Sequence, residues 1–339
     1  MQKILVVAPS WVGDCMLMQP MLLRLKQRFP GCAIDVLAPP WTVSLLKQMP
    51  EVNTVIVNPF PHGALNFLAR YRLGKQLRTA QYDAAYVLPN SLKSALVPFF
   101  ARIPKRVGFV GEMRYGLLND ARKLDKEKLP LMVQRFSQLA EALPDEMPRA
   151  IPQPRLSVTD EKRQQVLNKH GLTLDQPVAV FCPGAEYGPA KRWPIPYFAE
   201  LAQRLREQGY VVWLLGSSKD KEVSEKIVAL GNGSSRNLCG DTDLGEAITL
   251  LSCASLVVSN DSGLMHIAAA LDRPLIAIFG SSSPQFTPPL SDKAQVLKLD
   301  LPCSPCFKRK CPLGHFNCMM QLTPNTVAQH IPIISKRQP

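Results

Sequence analysis

Short apolar runs with no polar alternation recur along this chain, and segments of helical periodicity lie between them. Residues 3–8, 33–37, 54–58 and 84–87 are such runs, and 17–29 is the first helical stretch. A strand that is apolar on both faces needs a sheet covered on both faces, which points to parallel strands wrapped by helices. The pattern lapses over residues 143–156, where Pro144, Pro148, Pro152 and Pro154 stand among polar residues and read as a linker. It then restarts, with strands at 178–181, 210–215, 256–259 and 275–279 and helices at 197–207, 219–230, 244–252 and 263–270. The expected fold is therefore α/β, two Rossmann-like doubly wound domains facing a cleft. Residues 1–155 form the first domain with its linker, 156–322 the second, and 323–339 a closing segment. With 339 residues, each half is long enough to bury its own core.

Composition narrows the class. No apolar run reaches 18 residues, so no segment reads as membrane-spanning. The apolar start meets Pro9, Ser10 and then Gly13-Asp14 without a small-residue cleavage site, and it reads as a buried first strand rather than a leader. A cytoplasmic location is expected. Nine cysteines, an odd number with five of them scattered, argue against a secreted disulfide scaffold. The net charge of +13 is uneven: residues 1–155 hold 21 Lys/Arg against 11 Asp/Glu, and residues 156–339 hold 19 against 16. The first half suits an anionic partner. On charge alone, nucleic acid, an acidic membrane surface and a phosphorylated substrate all fit.

Ligands of open parallel sheets collect at the carboxyl ends of strands, so the loops that follow strands carry the chemistry. The first is Pro9-Ser10-Trp11-Val12-Gly13-Asp14, where Asp14 reads either as a helix N-cap or as a general base, two compatible roles. The second, residues 183–194, holds two glycines, Glu186, Lys191 and Arg192 ahead of a helix and suits a phosphate group, although its spacing is not that of a P-loop. The third runs from Ser259 to His266. Ser262 and Gly263 open a helix with backbone donors free for a pyrophosphate, and Asp261 accepts from sugar hydroxyls or serves as a cap. His266 reads as a donor-site residue or as a satisfied helix residue. Residues 70–135 hold 14 Lys/Arg against 5 Asp/Glu, among them Arg70, Lys75, Lys93 and Arg114, and carry no recognisable nucleic-acid motif. Cys303, Cys306, Cys311 and Cys318 cluster near the C-terminus, but only the first pair has zinc-ligand spacing, so the expectation is no metal, with a structural site as the lesser alternative.

The stretches PSWVGD, LPNSLKSALVPFF, GEMRYGLLND, PGAEYGPAKRWP and NDSGLMHIAAAL resemble the bacterial ADP-heptose:lipopolysaccharide heptosyltransferases of glycosyltransferase family 9, and most of all those that add the second inner-core heptose. The resemblance covers nearly the whole chain and stops at the cysteine cluster, which inherits no role. It implies a glycosyltransferase B-type fold, with the acceptor on the first domain and ADP-heptose on the second. The closing segment is expected to pack back across the cleft. The implied reaction moves L-glycero-D-manno-heptose to the first heptose of Kdo2–lipid A with inversion and without metal or cofactor. Asp14 is then the base. An ordinary aspartate is ionised at neutral pH and takes the hydroxyl proton as the new bond forms. Lys191, Arg192, Ser262 and Gly263 meet the departing ADP, and Asp261 holds heptose hydroxyls. Glu186, Ser217, Asp220 and His266 complete the donor site. Acceptor contacts are expected from Ser10, Trp11, Arg70, Lys75, Lys93 and Arg114. An acceptor bearing carboxylates and phosphates on an anionic leaflet accounts for the basic first half and implies peripheral contact with the inner membrane. The competing readings are another heptosyltransferase, a nucleotide-sugar epimerase on the same fold and a basic nucleic-acid-binding protein. The last leaves two matched α/β units unexplained.

Overall fold

The computed structural model describes residues 2–61, 63–143, 146–148 and 150–331. The chain divides after Pro154 into two compact units. The first is built in the order β1 (Lys3–Val7), α1 (Val12–Arg28), β2 (Ala33–Ala38), α2 (Val43–Leu46), β3 (Thr54–Val57), α3 (Phe67–Leu77), β4 (Ala84–Val87), α4 (Leu92–Phe100), β5 (Lys105–Phe109), β6 (Asp120–Arg122) and α5 (Met132–Leu139). Its six strands are all parallel and lie in the order β3-β2-β1-β4-β5-β6. The central strand β1 pairs Ile4 with Ile34 on one side and with Ala84 on the other, and its residues Ile4 to Val7 are buried. That burial on both faces is why the run shows no polar alternation.

The second unit repeats the plan. It comprises α6 (Asp160–His170), β7 (Val178–Cys182), α7 (Ile195–Glu207), β8 (Val211–Leu214), α8 (Lys221–Leu230), β9 (Ser235–Asn237), α9 (Leu244–Ser252), β10 (Leu256–Asn260), α10 (Gly263–Ala270), β11 (Leu275–Phe279), β12 (Ala294–Lys298), α11 (Asn317–Met320) and α12 (Pro324–Ala328). Its six parallel strands are ordered β12-β11-β10-β7-β8-β9. Phe181, Trp193, Phe198 and Val258 anchor its core. Val327 of α12 joins that core, so the closing segment packs at least in part on its own unit. Residues 332–339, on which the expected return of that segment also depends, lie outside the described residues. No described helix is long and apolar enough to cross a membrane.

In both units the first strand is the one from which the strand order runs in opposite directions. After β1 the chain builds β2 and β3 on one side, then returns to add β4 on the other. After β7 it does the same with β8, β9 and β10. Open sheets bind ligands at this switch, outside the carboxyl ends of the strands. In the first unit it lies between the loops that follow β1 and β4. In the second it lies between the loops that follow β7 and β10.

Candidate active site

In the first unit the switch loop is pinned from two sides. Ala8 N donates to Leu37 O at 3.0 Å, and the Trp41 indole donates to Ser10 O at 2.8 Å. The N-cap of α1 is Trp11, with extended backbone and no side-chain cap bond. Asp14 is therefore the third helical residue, not the cap. It is half-buried in the first turn, where the helix dipole favours negative charge. Ser10 is half-buried and the Trp11 side chain is exposed, so both flank Asp14 at the mouth of the loop.

Two of the basic residues expected at the acceptor turn inward instead. Arg114 is 1% exposed. Its guanidinium donates to Phe109 O, Pro89 O, Ser91 O, the Ser94 hydroxyl and Asn90 Oδ1. Burial lowers its pKa to about 10, which leaves it cationic at neutral pH. It ties the loop after β4 to the segment after β5, so its donors are spent on backbone and loop side chains. Arg70 is likewise buried, donating to Leu65 O, Ala64 O and Lys93 O with its guanidinium 4.1 Å from the Phe60 ring centroid. Both are braces for loops rather than open anion contacts, because a buried guanidinium whose donors are already taken by loop carbonyls has few left for an anion. Lys75 is exposed on α3 and Lys93 half-buried in the first turn of α4.

The second unit brings its candidates together in two clusters. Asn260, wholly buried at the end of β10, donates to Pro183 O at 2.7 Å and accepts from Trp193 N at 3.0 Å. It thereby staples the loop after β7 beside the loop after β10. Lys191 then meets Asp261 at 2.5 Å, with side chains 17% and 5% exposed. Asp261 also accepts from the Ser282 hydroxyl at 2.5 Å, a partner supplied by the loop after β11. The helix α10 begins at Gly263, and its N-cap Ser262 makes no side-chain cap bond, which leaves backbone donors at the end where the dipole favours an anion. His266 is buried on α10, within electrostatic reach of the pair. Burial pushes its pKa down to about 4, with Asp261 opposing the shift, so the imidazole is neutral near pH 7. Arg192 holds Ala185 O only at 3.5 Å, and its buried Nε has no hydrogen-bond partner among the described residues. A buried guanidinium N–H of this kind can donate to an anionic oxygen.

The second cluster joins the loops after β7 and β8. Asp220 accepts from Ser217 N at 2.9 Å and from the Ser217 hydroxyl at 2.8 Å. Gly184 packs on that carboxylate so closely that a Cβ would stand 2.5 Å from it. Glu186 is exposed and pairs with Lys219 at 2.5 Å.

Sequence reasoning missed Asn260, Ser282 and Tyr187. The Tyr187 hydroxyl donates to Phe307 O at 2.7 Å, and its ring lies 5.1 Å from Lys191 Nζ. Polar residues closing the apolar strands β10 and β11 were the available signal for the first two. The cysteine-bearing loop also braces this site, since Ala190 N donates to Arg309 O at 3.1 Å and Gly188, at φ +152°, could not carry a Cβ without striking that carbonyl. Cys303, Cys306, Cys311 and Cys318 line one enclosed cavity of about 20 Å³. Among the described residues no three or more His, Cys, Asp or Glu side chains are disposed to hold a metal ion.

Two successive doubly wound sheets, the second with an anion-ready helix start beside a lysine–aspartate pair, are the architecture of B-type glycosyltransferases. Residues 70–317 match the profile of glycosyltransferase family 9 (heptosyltransferase), and the chain belongs to that family. It is 49% identical over 339 residues to lipopolysaccharide heptosyltransferase 2 of Salmonella typhimurium, covering 97% of each chain. It is 50% identical over 310 residues to lipooligosaccharide heptosyltransferase 2 of Haemophilus influenzae, covering 88% of each. The solved structure of Escherichia coli ADP-heptose lps heptosyltransferase II superposes with a TM-score of 0.88 at 46% identity, covering 97% of each chain.

Proposed function

We propose that the chain transfers L-glycero-D-manno-heptose from ADP-heptose to the first heptose of Kdo2–lipid A, with inversion at the anomeric carbon, during assembly of the lipopolysaccharide core. The donor half rests on one observation: Lys191 and Asp261 paired at 2.5 Å beside the uncapped start of α10. Kinship with heptosyltransferases of the second type supports the choice of sugar and acceptor.

In this scheme the acceptor hydroxyl oxygen bonds to the anomeric carbon as the bond from that carbon to the phosphate oxygen breaks. Asp14 takes the hydroxyl proton. ADP leaves carrying the electron pair, and its charge is met by Lys191, Arg192 and the backbone donors at Ser262-Gly263. Preorganised donors aimed at developing charge are worth roughly 3 kcal/mol each. Asp261 orients heptose hydroxyls, while the Ser217–Asp220 turn and Glu186 border the nucleoside. Ser10, Trp11, Lys75 and Lys93 serve the acceptor. The scheme uses no cofactor, and the enzyme works in the cytoplasm against the inner membrane, where its lipid-borne acceptor resides.

The test is product analysis with ADP-heptose and either heptosyl-Kdo2–lipid A or Kdo2–lipid A. One heptose is added to the first acceptor and none to the second. Addition to Kdo2–lipid A, or isomerisation of the donor alone, overturns the reading. Within it, Asp14→Asn lowers kcat by about 10²–10⁴-fold and leaves ADP affinity unchanged. Near-normal turnover under conditions where chemistry limits the rate removes the base assignment.

A further inference from the structure

The outer face of α3 and α4 is apolar and basic at once. These helices pack on the first sheet through Leu73, Leu77, Ala95 and Val97. Their solvent side nonetheless exposes Phe67, Leu68, Tyr71 and Phe99, and Leu65 lies exposed just before α3. Leu65 is 52% exposed and Leu68 58%. The rings are ordered by edge contacts around Phe100, at 5.3 Å from Phe67, 5.2 Å from Tyr71 and 5.5 Å from Phe99. A water-facing cluster of this kind marks an interaction surface.

Charge identifies the partner. From Val52 to Gly111 the chain holds eight Lys/Arg and one carboxylate, Asp83. Asp83 is bound to Gln2 N and Lys3 N at the start of β1, so it neutralises none of the cations, and Lys105 alone of the eight forms an ion pair among the described residues, with Asp120 at 3.5 Å. Arg72 and Arg102 are exposed, and the Arg106 guanidinium lies 5.6 Å from the Phe99 ring centroid. Large apolar side chains flanked by the exposed cations Arg72 and Arg102 fit an anionic bilayer. The apolar tips enter the acyl boundary, and the cations meet the headgroups.

We infer that the α3–α4 face docks the enzyme on anionic lipid, with Leu65, Phe67, Leu68 and Tyr71 inserted and Arg72 and Arg102 at headgroup level. The inference deepens the proposed reading, on which it rests for the reason a bilayer is present at all. A second copy of the chain is disfavoured, since like-charged faces would meet.

Sedimentation with vesicles of phosphatidylethanolamine and phosphatidylglycerol tests it, with phosphatidylcholine vesicles as the control. Wild type binds the anionic vesicles, and added salt weakens the binding. Arg72→Gln with Arg102→Gln lowers the partition coefficient by about 30-fold at low salt, taking roughly fivefold per cation. Leu65→Gln with Leu68→Gln lowers it by at least about tenfold at any salt. Both variants keep the wild-type melting temperature and wild-type activity on a deacylated, soluble acceptor, but lose activity on acceptor embedded in vesicles. Equal binding to neutral and anionic vesicles overturns the inference, as does unchanged binding in both variants. So does a wild-type dimer that the leucine variant splits. The vesicle assay contains neither donor nor acceptor, so failure of the enzymatic reading shows in the soluble assay alone.

Discussion

The Lys191–Asp261 pair tests whether the second unit's switch point is a working site or a strut. Lys191→Met keeps the aliphatic stem and removes the charge. Asp261 is then left 5% exposed with the Ser282 hydroxyl as its remaining hydrogen-bond partner among the described residues. Breaking a buried pair costs about 3–5 kcal/mol, and because Lys191 is 17% exposed the lower figure, about 3 kcal/mol, applies. For a unit of this size that is a fall in melting temperature of about 6–12 °C. Asp261→Asn costs less, about 1 kcal/mol, because the lysine reaches water. The double variant buries no lone charge and recovers most of the stability, a coupling of about 2 kcal/mol.

Nucleotide binding follows a different order. A charge-assisted hydrogen bond to phosphate is worth about 1.5–3 kcal/mol, so Lys191→Met weakens ADP binding roughly 10- to 100-fold. The double variant stays equally weak. Asp261→Asn binds ADP at least as well as wild type, since Lys191 is released toward the anion, yet its KM for ADP-heptose rises because the sugar contact is lost. Calorimetry with ADP and thermal unfolding read the two orders independently. If Lys191→Met loses stability and keeps full ADP affinity, or if the double variant recovers both together, the pair is structural and the phosphate assignment is wrong.

Two further outcomes follow from buried cations and a buried base. His266 has a folded pKa of about 4 against an ordinary 6.5, so the unfolded chain binds the extra proton and the stabilising contribution, full above 6.5, is lost as pH falls toward 4. Between pH 8 and pH 5 this is a loss of about 2 kcal/mol in wild type that His266→Gln does not share, measurable by urea unfolding of both proteins at the two values. Arg114→Gln takes both guanidinium hydrogen bonds from Phe109 O and cuts the tie to the loop after β4, lowering the stability of the first unit by about 1–3 kcal/mol, while the folded fraction at low temperature keeps its acceptor KM. A raised KM with an unchanged melting temperature returns Arg114 to the acceptor.

Parallel strands announce themselves because burial on both faces removes polar alternation, and β1, β2, β7, β10 and β11 were all legible for that reason. Elements lacking that signature were not. β5 opens on Lys105-Arg106, β6 spans three residues, and α6 buries only Val166 and Leu167. The start of α1 was read at residue 17, five residues late, because its first turn leaves backbone N–H groups unpaired and needs no apolar stripe to form. Counting charge exposed the basic half of the chain but could not separate Arg72, in solvent, from Arg70 and Arg114, whose guanidinium groups are held by loop carbonyls. Charge is a property of composition, whereas the availability of a donor is a property of packing.

The location of the two loops has a topological cause, and their chemistry does not. Crossovers that build outward from a first strand and then return place the switch beside that strand, in each unit. The loop after the first strand is thus a ligand loop by construction, which is why Asp14 and Lys191 stood out in sequence at equivalent places in the two halves. The pairing that makes Lys191 useful spans 70 residues and depends on Asn260 holding two loops together. Nothing local to either segment encodes that contact. A lysine on a glycine-bearing loop is a surface cation until a buried amide fixes it beside a carboxylate and an open helix start, and only then does its charge act where a pyrophosphate would lie.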